Sequence, residues 1–275
     1  MEKTKYTIKD VPRFIVIIGV LVFTLFPVYW MVMTSFKIPT DILTMPPHFT
    51  FVPTLQNYVI AFQQAEFYRY IINSLTVTVM STLFVMIMGT PAAYSFARFN
   101  TGGGHLLFYI ISTKMLPAIA IVIPYFIVFA QLRLLDTKLG LTIVYTMFNL
   151  PIAIWLLYGF FKDVPSEIED AARIDGYTRF NVFLKIILPL VAPGLAVTAT
   201  FCLMFAWNEF LFAFLLTRMN AGTITVGIAS FWTQQGVQWG PLAAAATISI
   251  MPMMIFTLAL QKYLVRGLTF GAVKG

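Results

Sequence analysis

Six stretches of this chain are long and apolar enough to cross the ~30 Å hydrocarbon core of a membrane. Because lipid offers no hydrogen-bond partners, a segment that crosses it must be a helix or part of a closed barrel. The alternating pattern of barrel strands is absent, so the sequence predicts an all-α, polytopic membrane protein with six transmembrane helices. The predicted spans are 14–35, 70–95, 106–132, 141–161, 187–215 and 242–262.

Composition supports the same fold class. Of the 275 residues, 59% are hydrophobic and only 11% are charged, against about 25% charged in soluble domains. A soluble fold would expose large apolar patches with this composition. No small-residue cleavage site follows the first apolar run, so we expect a retained helix and not a signal peptide.

Lysine and arginine residues orient the predicted spans. With the N-terminus in the cytosol, 12 of the 18 fall on the cytosolic side, 5 fall outside and Lys114 lies within a span, which fits the excess of basic residues in cytoplasmic segments. We therefore expect both termini in the cytosol, lipid around the spans, and no nucleic-acid partner despite the net charge of +7. The predicted divisions are a cytosolic N-terminus (1–13), a first helix (14–35), an extracytoplasmic segment (36–69), a core (70–263) and a cytosolic tail (264–275).

One predicted cytosolic segment, residues 163–189, holds five of the chain's eleven acidic residues; we call it the acidic segment. Ser166 and Glu169 have the spacing of a capping box, which predicts a helix that starts there. Gly176 favours a left-handed stop, and Thr178 can cap a second short helix that runs to Pro189. A helix of about ten residues is marginal alone and needs a surface to pack on. Either the segment docks a partner, or it is an interfacial loop that only caps the bundle.

The acidic segment resembles the EAA loop of bacterial ABC-importer permeases. That pattern is Glu-Ala-Ala, three residues, Gly, nine residues, then Ile-x-Leu-Pro. Here Asp170 replaces the usual glutamate and keeps the carboxylate, and the remaining positions match. The matching residues are Asp170, Ala171, Ala172, Gly176, Ile186, Leu188 and Pro189.

The similarity extends over nearly the whole chain. Asn73-Ser74-Leu75 and Pro91-Ala92-Ala93-Tyr94 are similar to the start of the permease core. Trp207-Asn208-Glu209-Phe210 and the ending Val273-Lys274-Gly275 resemble the carbohydrate-uptake branch, specifically its maltose-type second permease. The resemblance implies the transmembrane domain of a type I ABC importer in a bacterial or archaeal cytoplasmic (inner) membrane.

The resemblance also implies partners and site residues. It implies a non-catalytic subunit that works with a homologous second permease, an ATPase homodimer and an extracytoplasmic solute-binding protein. ATP and Mg²⁺ would bind the ATPase and no cofactor this chain, which carries no phosphate-loop motif. The tail residues expected to contact the ATPase are Gly271, Lys274 and Gly275. The residues expected to couple to the ATPase are Glu169, Asp170, Ala171, Ala172, Asp175, Gly176, Ile186, Leu188 and Pro189.

Polar residues inside the predicted spans are candidates for the solute pathway. Glu209 costs about 2.5–3.5 kcal/mol to insert, so it and Asn208 should face the bundle interior or a watery cavity. They either contact a hydroxylated solute or make an interhelical hydrogen bond. Lys114 favours a structural role. His48 and His105 are predicted on opposite sides of the membrane, so no metal site is expected.

Prolines predict two irregular spans. Pro117 and Pro124 should kink the third span, and Pro189, Pro193 and Gly194 should break the start of the fifth.

Two other function classes compete with an importer permease. A membrane-embedded enzyme would need clustered acids or histidines at the spans, and the sequence does not supply them. A secondary transporter or channel would act without an ATPase; neither a pore loop nor a ring of charge is evident. The predicted external segments 37–69 and 217–241 are either ordinary loops or a docking surface for an external partner.

Overall fold

Apolar sequence becomes helix through most of the protein in the computed structural model, which describes residues 11–99 and 101–270. The described residues contain one two-stranded antiparallel hairpin, formed by β1 (Trp232–Thr233) and β2 (Gly236–Val237). Short π- or 3₁₀-helical turns occupy Ile60–Gln64, Thr101–Gly104, Thr113–Met115 and Phe183–Ile187. The α-helices are α1 (Val11–Ser35), α2 (Pro39–Ile42), α3 (Gln56–Val59), α4 (Phe67–Phe99), α5 (His105–Ser112), α6 (Ala118–Gln131), α7 (Lys138–Asp163), α8 (Glu167–Ile174), α9 (Arg179–Val182), α10 (Leu188–Leu190), α11 (Ala192–Trp207), α12 (Leu211–Leu216), α13 (Ile224–Ala229) and α14 (Trp239–Phe270).

Six membrane spans can be built from these helices. Helices α1, α4, α7 and α14 are each long and apolar enough to cross a membrane. Two further spans are broken: Thr101–Met115 meets Ala118–Gln131 at 94°, and Arg179–Leu190 meets Ala192–Trp207 at 75°. The predicted all-α, six-span architecture is confirmed, with the small hairpin added.

The bend in the third span lies at Pro117, as the sequence predicts. Leu116 is extended (ψ 126°) because the ring of a following proline disfavours helical backbone. Pro124 lies inside α6. The predicted break before the fifth span is also present, at Val191 between α10 and α11.

The fifth span is shorter than the predicted continuous stretch 187–215. Helix α11 ends at Trp207, and α12 begins at Leu211. The Glu209 carboxylate accepts hydrogen bonds from the backbone N–H groups of Phe212 (2.9 Å) and Ala213 (3.2 Å). It therefore caps a new helix, which explains why the apolar run does not continue as one helix.

The chain divides into two compact units, Met1–Phe67 with Ile228–Ile250, and Tyr68–Gly227 with Met251–Gly275. In the first unit, Lys37 is buried: its Nζ donates to the carbonyl of His48 and lies 4.8 Å and 5.1 Å from the ring centroids of Trp30 and Phe51. Asn57 donates to the carbonyls of Ser35 (2.9 Å) and Lys37 (2.7 Å). A side-chain amide therefore donates hydrogen bonds to the backbone carbonyls at and just after the end of α1.

Two apolar clusters form much of the core of the second unit. One includes Val77 of α4, Tyr145 of α7 and Phe212 of α12. The other joins α4 and α7 to the acidic segment. Its buried members are Ala93, Tyr94, Ile154, Leu157, Phe161, Ala172, Val182, Ile187 and Val191.

The connection 217–224 is held by side chains of the second unit. Both carboxylate oxygens of Asp136 accept hydrogen bonds from backbone N–H groups of residues 218–221. Asn73 of α4 donates to the carbonyls of Asn220 (2.9 Å) and Gly222 (3.0 Å), and the Ser74 hydroxyl accepts from the N–H of Ile224 (2.7 Å). One end of α4 is therefore fixed to this connection.

Candidate functional site

Helix α8 begins where the sequence predicts, but without the predicted capping box. Ser166 is at the N-cap position with helical dihedral angles, and its side chain makes no capping hydrogen bond. The N–H groups of Glu169 and Asp170 bond instead to the Ser166 carbonyl, at 2.9 Å and 3.1 Å. The capping-box prediction is wrong because the Glu169 carboxylate binds charged and phenolic donors elsewhere.

Glu169 points into the protein. One of its carboxylate oxygens accepts a hydrogen bond from the Tyr94 hydroxyl (2.7 Å), and the other pairs with Nε of Arg98. Arg98 also donates from Nη2 to the carbonyl of Val164 (2.8 Å). Both charged side chains are largely buried, with 11% of Arg98 and 13% of Glu169 exposed. The last turns of α4 thus hold the first turn of α8.

Ala172 places a second part of α8 against the bundle. It is buried in the cluster that contains Phe161 of α7 and Val182 of α9. Ala171, its neighbour in the predicted motif, is exposed. The two alanines therefore have different surroundings: Ala172 packs on this chain, and Ala171 is exposed.

The turn after α8 forms as predicted. Gly176 has φ +88°, a left-handed value that a glycine adopts without steric cost. The Thr178 hydroxyl accepts from the N–H of Asn181 and caps α9, as expected, at 3.4 Å. Beyond it, Ile186 and Leu188 are half-buried and Pro189 is exposed. Residues Glu167 to Leu190 therefore form the compact helix–turn–helix that the sequence predicts.

The outward side of α8 combines acidic and apolar groups. Residues 167, 170, 171 and 174 are exposed and share one face, because their spacing follows the helical repeat. The side chain of Ile174 is 87% exposed. Asp175, at the C-cap, is also exposed. This face therefore presents an exposed isoleucine next to several carboxylates.

The predicted solute-pathway residues lie between α11 and α12. Asn208 is exposed and donates from its side chain to the Met204 carbonyl (2.8 Å). Glu209 is half-buried; its carboxylate caps α12, and its carbonyl accepts a bond from the Thr225 hydroxyl (2.7 Å). These contacts stabilise the chain between α11 and α12, and a pathway role for the pair stays a prediction.

Lys114 and the three predicted tail residues have simpler outcomes. Lys114 lies in the 3₁₀ turn Thr113–Met115, with Nζ 4.9 Å from the centroid of the Phe148 ring. A cation over an aromatic face supports the structural role that the sequence favours. The predicted ATPase-contacting tail residues Gly271, Lys274 and Gly275 lie outside the described residues.

Sequence reasoning missed the contribution of Arg98 and Tyr94 to this site. Arg98 counted only as a cytosolic cation, and Tyr94 only as part of a four-residue resemblance. The signal that could have found them is a basic residue in the last turn of α4 and an acidic one in the first turn of α8, both favoured by the helix dipoles.

The fold and the site together define a class of protein. Six spans with a short helix–turn–helix between the fourth and fifth are the arrangement of a type I ABC importer transmembrane subunit. A crystal structure of a bacterial ABC transporter involved in the import of the acidic polysaccharide alginate has a chain with this fold. Its TM-score is 0.75 at 22% identity, and the match covers 95% of this chain and 99% of that one.

Sequence comparison gives the family. The family model for binding-protein-dependent transport system inner membrane components matches residues 86–270. A probable ABC transporter permease protein, y4oR, from Sinorhizobium fredii is 42% identical over 91% of this chain and 90% of its own length. The trehalose/maltose transport system permease protein MalG of Thermococcus litoralis is 36% identical over 96% of this chain and 97% of its own. The chain belongs to the binding-protein-dependent transport system inner membrane component family.

This membership confirms the predicted function class. The chain is a multi-pass inner-membrane permease subunit of a binding-protein-dependent importer. Its relatives are transport permeases, as expected for a subunit without catalytic chemistry of its own. A secondary transporter or channel that acts alone is not favoured.

Proposed function

We propose that this chain forms half of the translocation pathway for a sugar, polyol or related hydroxylated solute, and that α8 couples it to a separate ATPase subunit. One observation carries the proposal. Helix α8 is fixed to its own bundle through Glu169 and Ala172 and leaves an acidic and apolar face open. A helix that is fixed to its own bundle on one face and exposed on the other is suited to transmit force from a partner.

The open face predicts the chemistry of the ATPase surface. Ile174 would fill an apolar recess, and Glu167, Asp170 and Asp175 would meet basic groups around it. Ala171 allows the partner backbone to approach closely. Gly271, Lys274 and Gly275 are proposed as further ATPase contacts, from their resemblance to permease tails.

Nucleotide chemistry belongs to the partner in this proposal. ATP and Mg²⁺ would bind the ATPase homodimer, and closure of that dimer would displace α8. Since ATP binds one arrangement of the complex more tightly, the spans would shift between inward-open and outward-open packings. An extracytoplasmic binding protein would deliver the solute.

The solute class rests on relatives such as the permease named for trehalose and maltose. Asn208 and Glu209 remain the proposed pathway residues of this chain. Because backbone N–H groups already bind the Glu209 carboxylate, a solute would meet the Asn208 amide first.

A homologous second permease would supply the other half of the pathway. Helix α1 needs surroundings beyond this chain, because none of its most apolar 18-residue stretch is buried. Lipid and a partner permease are proposed to cover it, with both termini in the cytosol as the basic residues favour.

Co-purification tests the proposed assembly. A tagged form of this chain should retain an ATPase and a second permease, and the purified complex should hydrolyse ATP faster when binding protein and solute are added. Solute transport by the chain alone in liposomes would contradict the proposal.

Substitutions in the acidic segment test the coupling role. Gly176→Ala forces a side chain into left-handed backbone, at a cost of about 1–2 kcal/mol, and Asp170→Lys reverses an exposed charge. Both should weaken ATPase association, measured by pull-down from membranes, and leave membrane insertion intact. Gly103→Ala is the matched control, since that glycine also has positive φ (+60°) but lies in the turn before α5. Wild-type association of both acidic-segment variants would refute the coupling role.

A further inference from the structure

Glu169 belongs to the predicted coupling residues, yet its carboxylate is not available to a partner subunit. Tyr94 and Arg98 occupy its two oxygens, and only 13% of the side chain is exposed. The exposed carboxylates of α8 are on the other face. Glu169 therefore acts between elements of this chain.

Arg98 joins three elements at one point. It projects from the last turn of α4, pairs with Glu169 in the first turn of α8, and donates to the carbonyl of Val164, the C-cap residue of α7. A planar guanidinium can bind two acceptors in fixed directions, which a lysine ammonium cannot do with the same geometry. The side chain thus fixes both the position and the orientation of α8 relative to α4.

Burial separates this pair from an ordinary surface ion pair. The neighbouring pair, Arg173 with Asp170, is 3.8 Å apart, and its side chains are 51% and 69% exposed. Exposed pairs contribute little to stability, because holding two long side chains in one geometry costs entropy and solvent screens the charges. A buried pair with further hydrogen bonds is strongly penalised when one partner is removed. The buried Arg98–Glu169 contact is therefore the one that holds α8 rigidly against α4.

We infer that Arg98 is a positioning residue that carries the displacement of α8 into α4 during transport. This inference rests on the proposed function of α8 as the ATPase contact. A push on the outward face of α8 reaches Glu169, passes through the guanidinium to α4, and moves that span together with the C-terminal end of α7. Without the guanidinium, α8 can move while α4 does not follow.

The test uses the complete complex with Arg98→Gln. We expect normal assembly with the ATPase and continued ATP hydrolysis, with about tenfold less solute transported per ATP hydrolysed. Hydrogen exchange of the α8 amides should be faster than in wild type. Lys162→Gln is the matched control, because it removes an exposed cation from the end of α7; both readouts should stay at wild-type values.

Two further variants keep the inference testable if Arg98→Gln folds poorly. Tyr94→Phe removes one hydrogen bond to Glu169 and keeps the buried ring, and it should lower transport per ATP about threefold. The exchanged pair Arg98→Glu with Glu169→Arg should recover part of the loss of either single change. A transport-to-ATP ratio equal to wild type in Arg98→Gln or, where that variant does not fold, in Tyr94→Phe would overturn the inference.

The experiment also separates this inference from the proposed function. If the wild-type chain retains no ATPase, the coupling role of α8 fails, and the Arg98 link fails with it. If the wild-type complex transports normally and Arg98→Gln does so at the same ratio, only the link fails.

Discussion

The Asp136 carboxylate accepts hydrogen bonds from the backbone N–H groups of residues 218–221, so its protonation state affects this connection. Burial alone would raise the pKa of Asp136, but the N–H groups of Arg218, Ala221, Asn220 and Met219 outweigh it and lower the pKa below the usual value. The stabilising contribution is therefore complete above the unfolded pKa of about 3.9. It is lost as the pH falls through the lower folded pKa.

Asp136→Asn should loosen the connection 217–224. An amide offers one acceptor oxygen where the carboxylate offers two, and hydrogen bonds to charged groups contribute about 1.5–3 kcal/mol before discounting for exposure. We expect faster hydrogen exchange at residues 218–221 at neutral pH. In wild type the same amides should exchange faster only once the medium is acidic enough to protonate Asp136, after correction for intrinsic rates. Asp175→Asn, at an exposed carboxyl of the acidic segment, should leave these amides unchanged; equal protection in Asp136→Asn would count against the role.

At the scale of elements, α7 and α11 pack closely at Gly194. A Cβ there would come under 3.0 Å from ring atoms of Phe160. Gly194→Ala should therefore force the ring or α11 to shift and should destabilise the protein by about 1–3 kcal/mol. Thermal unfolding in detergent, followed by circular dichroism, measures the change.

Gly159 provides the comparison on the neighbouring helix. It lies inside α7, and a Cβ there would meet nothing within 4 Å. Gly159→Ala should leave the unfolding temperature unchanged or raise it, since alanine favours helix by about 1 kcal/mol over glycine. Equal effects at the two glycines would show that close packing at Gly194 is unimportant.

Local chemistry explains which elements could be predicted from the sequence. The length of the apolar runs predicts the spans, Gly176 predicts the left-handed turn, and Pro117 predicts the bend. Each of these features depends on residues that are close together in the sequence. The interruption at Asn208–Phe210 was missed, since those residues are apolar or flanked by apolar sequence and only the fold shows Glu209 capping α12.

The position of the candidate site could be predicted from the sequence, but its side-chain contacts could not. Spacing located α8 and its turn, but the use of Glu169 depends on Tyr94 and Arg98, which are 75 and 71 residues away along the chain. The capping-box pattern predicts that the Glu169 side chain bonds to the backbone at the start of its own helix. A charged guanidinium bonds a carboxylate more strongly than a backbone N–H does, and no local pattern reveals that it is near.

At the scale of the whole molecule, the orientation in the membrane can be measured with one background change. Cys202 is the single cysteine of the chain and is fully buried, so Cys202→Ala gives a cysteine-free protein. A membrane-impermeant maleimide on intact cells should then label Gln235→Cys in the β1–β2 hairpin and should not label Asp175→Cys. Both should react after permeabilisation. Labelling of Asp175→Cys in intact cells would invert the proposed topology.

Helix α4 is anchored at both ends, by Asn73 and Ser74 near its start and by Tyr94 and Arg98 near its finish. Each residue of an α-helix adds about 1.5 Å of length and about 100° of rotation. A single insertion midway would turn one set of anchors away from its acceptors, and two added turns would restore the angle but overshoot the distance. The number of residues in this span is therefore itself a constraint, and drift in its length should be far less tolerated than drift in its apolar sequence.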